Sequence, residues 1–138
     1  MKIDFAFLAD AAEESKGKLY VVGGAIDTIW TQSVPAVHPR ISLALRLLIS
    51  PGELGRSHQL EISLMDGDGK RVAAVKGQFE PDKNQNLSAG WEQGMLLVLN
   101  VPNLQFQKFG DYQFDIMCNN SSLKTVPLRV AQQIPLDR

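Results

Sequence analysis

The stretch LMDGDGKRV, residues 64–72, sets two aspartates one residue apart among glycines, the kind of spacing that opens a calcium loop. An EF-hand loop needs oxygen ligands at its first, third and fifth positions, glycine at the sixth and glutamate at the twelfth. Counting from Asp66, those later places hold Lys70, Arg71 and Gly77. Two cations stand where anions and a glycine are required. Asp and Gly between alternating segments are, by contrast, ordinary chemistry for a tight hairpin turn. The reading is a turn.

VVGGAIDT, residues 21–28, offers a second temptation, because paired glycines can cradle a phosphate. A dinucleotide fingerprint needs three spaced glycines at the start of a helix. Only Gly23 and Gly24 occur here, and β-branched residues follow them. A strand bulged at the glycine pair accounts for the segment. For acyl chemistry, no serine stands in a G-x-S-x-G elbow. His38, flanked by prolines in VPAVHP, and His58, at the start of a strand, are the two histidines. Their spacing forms no i,i+2 or i,i+4 ligand pair. The expectation is a chain that is not an enzyme, with no cofactor and no metal.

Cys118 is the single cysteine. It excludes an internal disulfide, and its place on an apolar strand face reads as packing. The two tryptophans are the residues with recognition potential, since Trp offers large apolar area at low entropic cost. Trp91 lies in the long polar segment 80–94, and Trp30 precedes the VPAVHP loop. With His38 they form the candidate binding loops. Long loops without regular structure are commonly functional.

These residues must be held by strands. In RISLALRLLIS the residues Ile41, Leu43, Leu45, Leu47 and Ile49 share one face, with Leu48 the exception on the other. That period of two marks a half-buried antiparallel strand. Leu60, Ile62 and Leu64 repeat it, as do Tyr112, Phe114, Ile116 and Cys118. MLLVLNV, residues 95–101, is almost continuously apolar and reads as a strand covered on both faces. Val126, Leu128 and Val130 form a last apolar face, and Pro127 between them places this strand at a sheet edge. The first segment fits either a strand or a short helical stripe; its brevity and Gly17 favour a strand that turns through ESKGK. Turn-rich stretches at 34–39, 50–55, 67–69, 80–94 and 118–122 separate the strands. Seven to nine strands in one domain, 1–138, predict an antiparallel two-sheet β-sandwich, Ig-like or jelly-roll.

Composition bounds the partners. The 138 residues carry 14 Lys plus Arg against 15 Asp plus Glu, a net charge of -1, so no long-range field draws in nucleic acid or an anionic membrane. Asp4 and Asp10 interrupt the first apolar run, which therefore does not read as a secretory leader. The expected setting is the cytoplasm, and the expected partner a protein, with room for a homo-oligomer.

Across nearly its whole length the chain resembles a family of small uncharacterised bacterial proteins catalogued as a domain of unknown function. The resemblance rests on FLADAA, GKLYVVGGAIDTIW, HPRISLALRLLISPGELGRSHQLEISLMDGDG, FGDYQFDI and VPLRV. It implies a cytoplasmic bacterial β-sandwich and transfers no activity. FGDYQF also resembles the tyrosine corner of immunoglobulin-like sandwiches, with Tyr112 as the tyrosine that bonds back to the backbone. Three functions stay open: a non-catalytic protein-interaction or binding module, a small-ligand binder or hydrolase with a pocket in the sandwich, or a structural subunit of a larger assembly.

Overall fold

The computed structural model describes residues 1–134. Nine strands follow one another: β1 (Lys2–Ser15), β2 (Lys18–Ile26), β3 (Thr28–Thr31), β4 (Ala36–Ile49), β5 (His58–Asp66), β6 (Arg71–Phe79), β7 (Gln93–Phe106), β8 (Gly110–Cys118) and β9 (Ser121–Gln132). The one helical element in the described residues is a single 3-10 turn over Pro51–Glu53. Sheet A has the order β2-β1-β4-β7 and sheet B the order β3-β9-β8-β5-β6.

The strands form where period-two alternation predicts them, and their inner faces meet in one core. Ile41, Leu43, Leu45, Leu47 and Ile49 of β4 are all buried, against Ile62, Leu64, Phe114, Ile116 and Leu128 from sheet B. Burying a Leu or Ile side chain is worth about 1.5–3 kcal/mol, so this pair of facing rows supplies the main driving force. Cys118 is buried on the same side, and burial pushes its thiol above the usual range, with the Glu53 carboxylate adding to the effect. The first segment is a strand throughout, closed by Lys16 and Gly17, both with positive φ.

Three expectations need correction. The sandwich-like pair of sheets is not wholly antiparallel, because β3 runs parallel to β9. The change of sheet follows shortly after the glycine pair. Ala9 pairs with Gly24 and Leu8 with Ile26, which leaves Ala25 as an extra residue at φ 61. Gly23 has φ 62, and a Cβ there would run into the Asp10 carboxylate. Past the bulge β2 still pairs with β1 at Ile26; the chain leaves sheet A at Asp27, and β3 begins in sheet B at Thr28.

Pro127 does not mark an edge strand, since β9 lies between β3 and β8. The four residues of β3 reach only Arg129 to Gln132, so Pro127 stands just beyond them and no ladder bond is lost on that side. Nor is MLLVLNV covered on both faces. Met95, Leu97 and Leu99 pack on the core, while Leu96 and Val98 face away on an edge strand and stay half-exposed.

Candidate functional site

The DGDGK turn is a closed hairpin. Asp66 Oδ1 accepts the backbone N–H groups of Asp68 and Lys70 at 3.0 and 2.9 Å, and the Asp66 N–H donates to the Lys70 carbonyl at 2.9 Å. A cation is already present: Lys108 Nζ stands 3.4 Å from Asp66 Oδ2 and 2.5 Å from Asp68 Oδ2. The Lys70 and Asp68 N–H bonds, with Lys108 beside them, hold the Asp66 carboxyl below its usual range. The Asp68 and Asp66 carboxylates in turn raise the Lys108 ammonium above its own. Among the described residues no group of three or more His, Cys, Asp or Glu is placed to hold a metal ion.

His58 is buried and fully engaged. Its Nε2 donates to the Glu53 carbonyl at 2.8 Å, and its Nδ1 accepts the Asn119 amide at 3.0 Å. Asn119 is itself fixed, because its Oδ1 accepts the Gln59 N–H at 3.0 Å. This is a positioning network at the end of a strand.

The three candidate binding residues do not converge. Trp91 lies in the loop between β6 and β7, 62% exposed, beside a cleft of about 450 Å³ shared with Pro51, Leu54, Lys83 and Leu87. Gln93 pins that loop: its amide donates to the Asp82 carbonyl at 2.7 Å and its oxygen accepts the Asn84 N–H at 2.9 Å. His38 is not in a loop, because β4 extends back to Ala36 and pairs His38 with Leu104. Pro39 falls where the β7 register steps from His38–Leu104 to Arg40–Pro102 and where pairing with β1 has already ended at Ser42, so its missing N–H leaves the strand intact. Ile49 at the far end of β4 pairs with Gln93, near Trp91. Eleven residues at about 3.3 Å each separate His38 from Ile49 by roughly 36 Å. Trp30 is 63% exposed on β3, opposite Ala131, and so lies in a strand at the end of sheet B that carries the Asp66 hairpin.

A feature that residue types alone did not point to is the open seam of the sandwich. On one side the β2–β3 segment carries the chain from sheet A to sheet B. On the other, β7 pairs only with β4 and β6 only with β5, leaving two free strand edges. Between them opens an apolar cleft of about 180 Å³, lined by Leu60, Ile62, Val75, Gly77, Leu97 and Leu99 among others. From Gln93 to Phe106, β7 carries no charged side chain. Long, uncharged, apolar edges are what folded proteins usually blunt with lysine, proline or a covering loop. Here Pro102 blunts only the last third of the strand. The signal in the sequence was MLLVLNV itself, whose missing charges mark an edge as readily as a buried strand.

The model of the Family of unknown function (DUF6941) matches residues 4–131 of the chain. No curated protein matches it. Among solved structures the chain is similar to a glycosyl hydrolase family 2 (GH2) member from Bacteroides cellulosilyticus DSM 14838. That match has 10% identity and a TM-score of 0.38, over 69% of this chain and 13% of that one. It is also similar to a β-glucuronidase from glycoside hydrolase family 2, with 17% identity and a TM-score of 0.32, over 67% of this chain and 10% of the other. The chain thus spans about a tenth of the length of the structures it matches.

Proposed function

The chain belongs to the family of unknown function DUF6941, and from the geometry of its open seam we propose a non-catalytic protein-interaction module. An extended segment of a partner protein adds to sheet A along the free edge of β7. The observation that carries this reading is a 14-residue edge strand without a charge, beside an apolar cleft. Main-chain hydrogen bonds along such an edge supply affinity, and the cleft beneath it accepts alternate side chains. The partner segment is therefore uncharged over about five to seven residues and apolar at every second one. In this reading the module works in the cytoplasm, and its net charge of -1 supplies no long-range field toward nucleic acid or an anionic membrane.

The topology supports an immunoglobulin-like reading. β4 and β7 occupy the places of strands B and E, while β5, β8 and β9 occupy those of C, F and G. Tyr112 then stands near the start of the F-like strand, where a tyrosine corner belongs. In the constant-type sandwich a further strand, D, lies beyond E, the side on which β7 ends the sheet here.

A set of ten-residue peptides, half with alternating Val and Thr and half rich in Ala and Glu, tests the proposal. The alternating peptides bind and the helical ones do not. Val75 is 49% exposed and lines the cleft, so Val75→Lys keeps the fold and lowers peptide affinity about tenfold. Equal binding of both peptide classes, or none of either, overturns the reading.

A second reading rests on the Trp91 cleft, which is larger than the seam and lined by polar groups from the pinned loop. It is the small-ligand alternative. Trp91→Ala abolishes ligand-induced quenching of tryptophan fluorescence if that cleft is the site, and leaves peptide binding at β7 intact.

A further inference from the structure

The face of sheet A that points away from the core carries Arg40, Ser42, Arg46 and Asn100, but around them it is more apolar than a solvated sheet face. Phe5 and Phe7 stack there at 5.8 Å, beside half-exposed Leu48, Leu96 and Val98. Val22 and Tyr20 on β2 are 70% and 54% exposed on the same face. No strand of the described residues lies over it, since all nine belong to the two sheets. Exposed apolar surface of this continuity is the mark of an interaction site.

We propose that this face docks a second copy of the chain, sheet on sheet, across a twofold axis perpendicular to the strands. The axis passes between the levels of Phe7 and Ala9. Two features of the face select this occupant.

The first is shape. One half is bulky, built from Phe5, Phe7, Leu96 and Val98, and the other is low, built from Ala9, Ala11, Gly24 and Ser42. Reversal about the axis sets Phe7 of one copy over Ala9 and Gly24 of the other, and Phe5 over Ala11 and Val22. Phe7 meets the trough at Ala9 and Gly24 on both sides, as an isologous interface requires, while Phe5 comes beside the exposed Val22.

The second is charge. Lys2 pairs with Leu48, two residues outside Arg46 at the bulky end, and Glu13 lies two residues outside Ala11 at the low end. Both are on β1 and exposed, and Lys2 also stands 3.6 Å from Glu92 of its own chain. The reversal brings Lys2 to Glu13 of the other copy, twice over. Arg40 comes to the Asp4–Arg46 pair. There Arg46 already lies flat on Gly94 with its Nη1 2.8 Å from Asp4, so Arg40 meets the Asp4 carboxylate ahead of the like charge. Sheets stacked face to face sit about 10 Å apart, within reach of these long side chains.

Sedimentation equilibrium from about 1 to 100 µM decides the matter, since association depends on protomer concentration. The chain sediments at twice its monomer mass at the upper end. Val22→Glu, at a position too exposed to disturb folding, weakens the dimer at least tenfold. Lys2→Glu and Glu13→Lys each weaken it severalfold. Mixed in equal amounts, the two charge-reversed proteins form a heterodimer preferentially, because both contacts between positions 2 and 13 again join opposite charges. A monomer throughout the range overturns the proposal. So does a dimer indifferent to Val22→Glu, or a mixture that shows no heterodimer.

Discussion

The hydroxyl of Tyr112 donates a 2.7 Å hydrogen bond to the backbone carbonyl of Lys108, four residues upstream. The bond closes the corner between β7 and β8, and the Phe106 ring packs edge-on against Tyr112 at 5.0 Å. Through the same residue the corner reaches the neighbouring hairpin, because the Lys108 ammonium stands against Asp66 and Asp68.

Tyr112→Phe keeps the ring packing and removes only that bond. The Lys108 carbonyl, part-buried at this bond, then loses its donor, at a cost of about 1 kcal/mol. Urea unfolding with an unchanged m-value and a lower midpoint is the expected result. An unshifted midpoint means the corner contributes nothing to stability.

The cation beside the DGDGK turn is Lys108, so added calcium has no vacant charge to fill. Thermal melts in about 5 mM calcium shift by less than about 1 °C, since stabilisation needs binding to the folded state. Lys108→Met removes the ammonium and lowers the melting temperature by itself. A clear calcium-dependent rise in the unaltered protein contradicts the hairpin assignment.

Acid weakens the fold in a defined window. Burial would raise the Glu53 carboxyl, but hydrogen bonds from the Met1 amino group and from the Ser50 backbone and hydroxyl overcome it and lower the carboxyl to about 2. Asp66 is lowered as well, chiefly by the Lys70 N–H. Both groups have folded values below their unfolded ones, so the stability they confer is complete above the ordinary carboxylate range. It drains away as pH falls through that range toward 2. Urea midpoints measured at pH 6, 4 and 2.5 decline in that order. Glu53→Gln flattens the decline, and a decline as steep in the variant shows that other carboxylates cause it.

Much of the framework was legible because alternation is a direct record of burial. Ile41 to Ile49 read as an inward row and are one, and the tyrosine at 112 read as a corner and bonds as one. The glycine pair read as a bulge, but nothing local shows that the chain then changes sheets and pairs in parallel with β9. Pairing direction depends on contacts a hundred residues apart. The site was less legible. Trp30, His38 and Trp91 share a chemical suitability for binding that says nothing about distance, and the structure sets Trp91 at the end of the sandwich away from the other two. The free edge of β7 was hidden for the opposite reason. An uncharged run such as MLLVLNV has one appearance in sequence, whether the strand is enclosed or lies at a sheet edge.

Backbone hydrogen exchange along β7, with and without a saturating alternating Val–Thr peptide, tests the interaction module most directly. The account predicts at least tenfold slower exchange at alternate amides between Met95 and Val101, with the amides of β2 unchanged. Protection confined to the Trp91 loop, or no change along β7 when the peptide is bound, contradicts it.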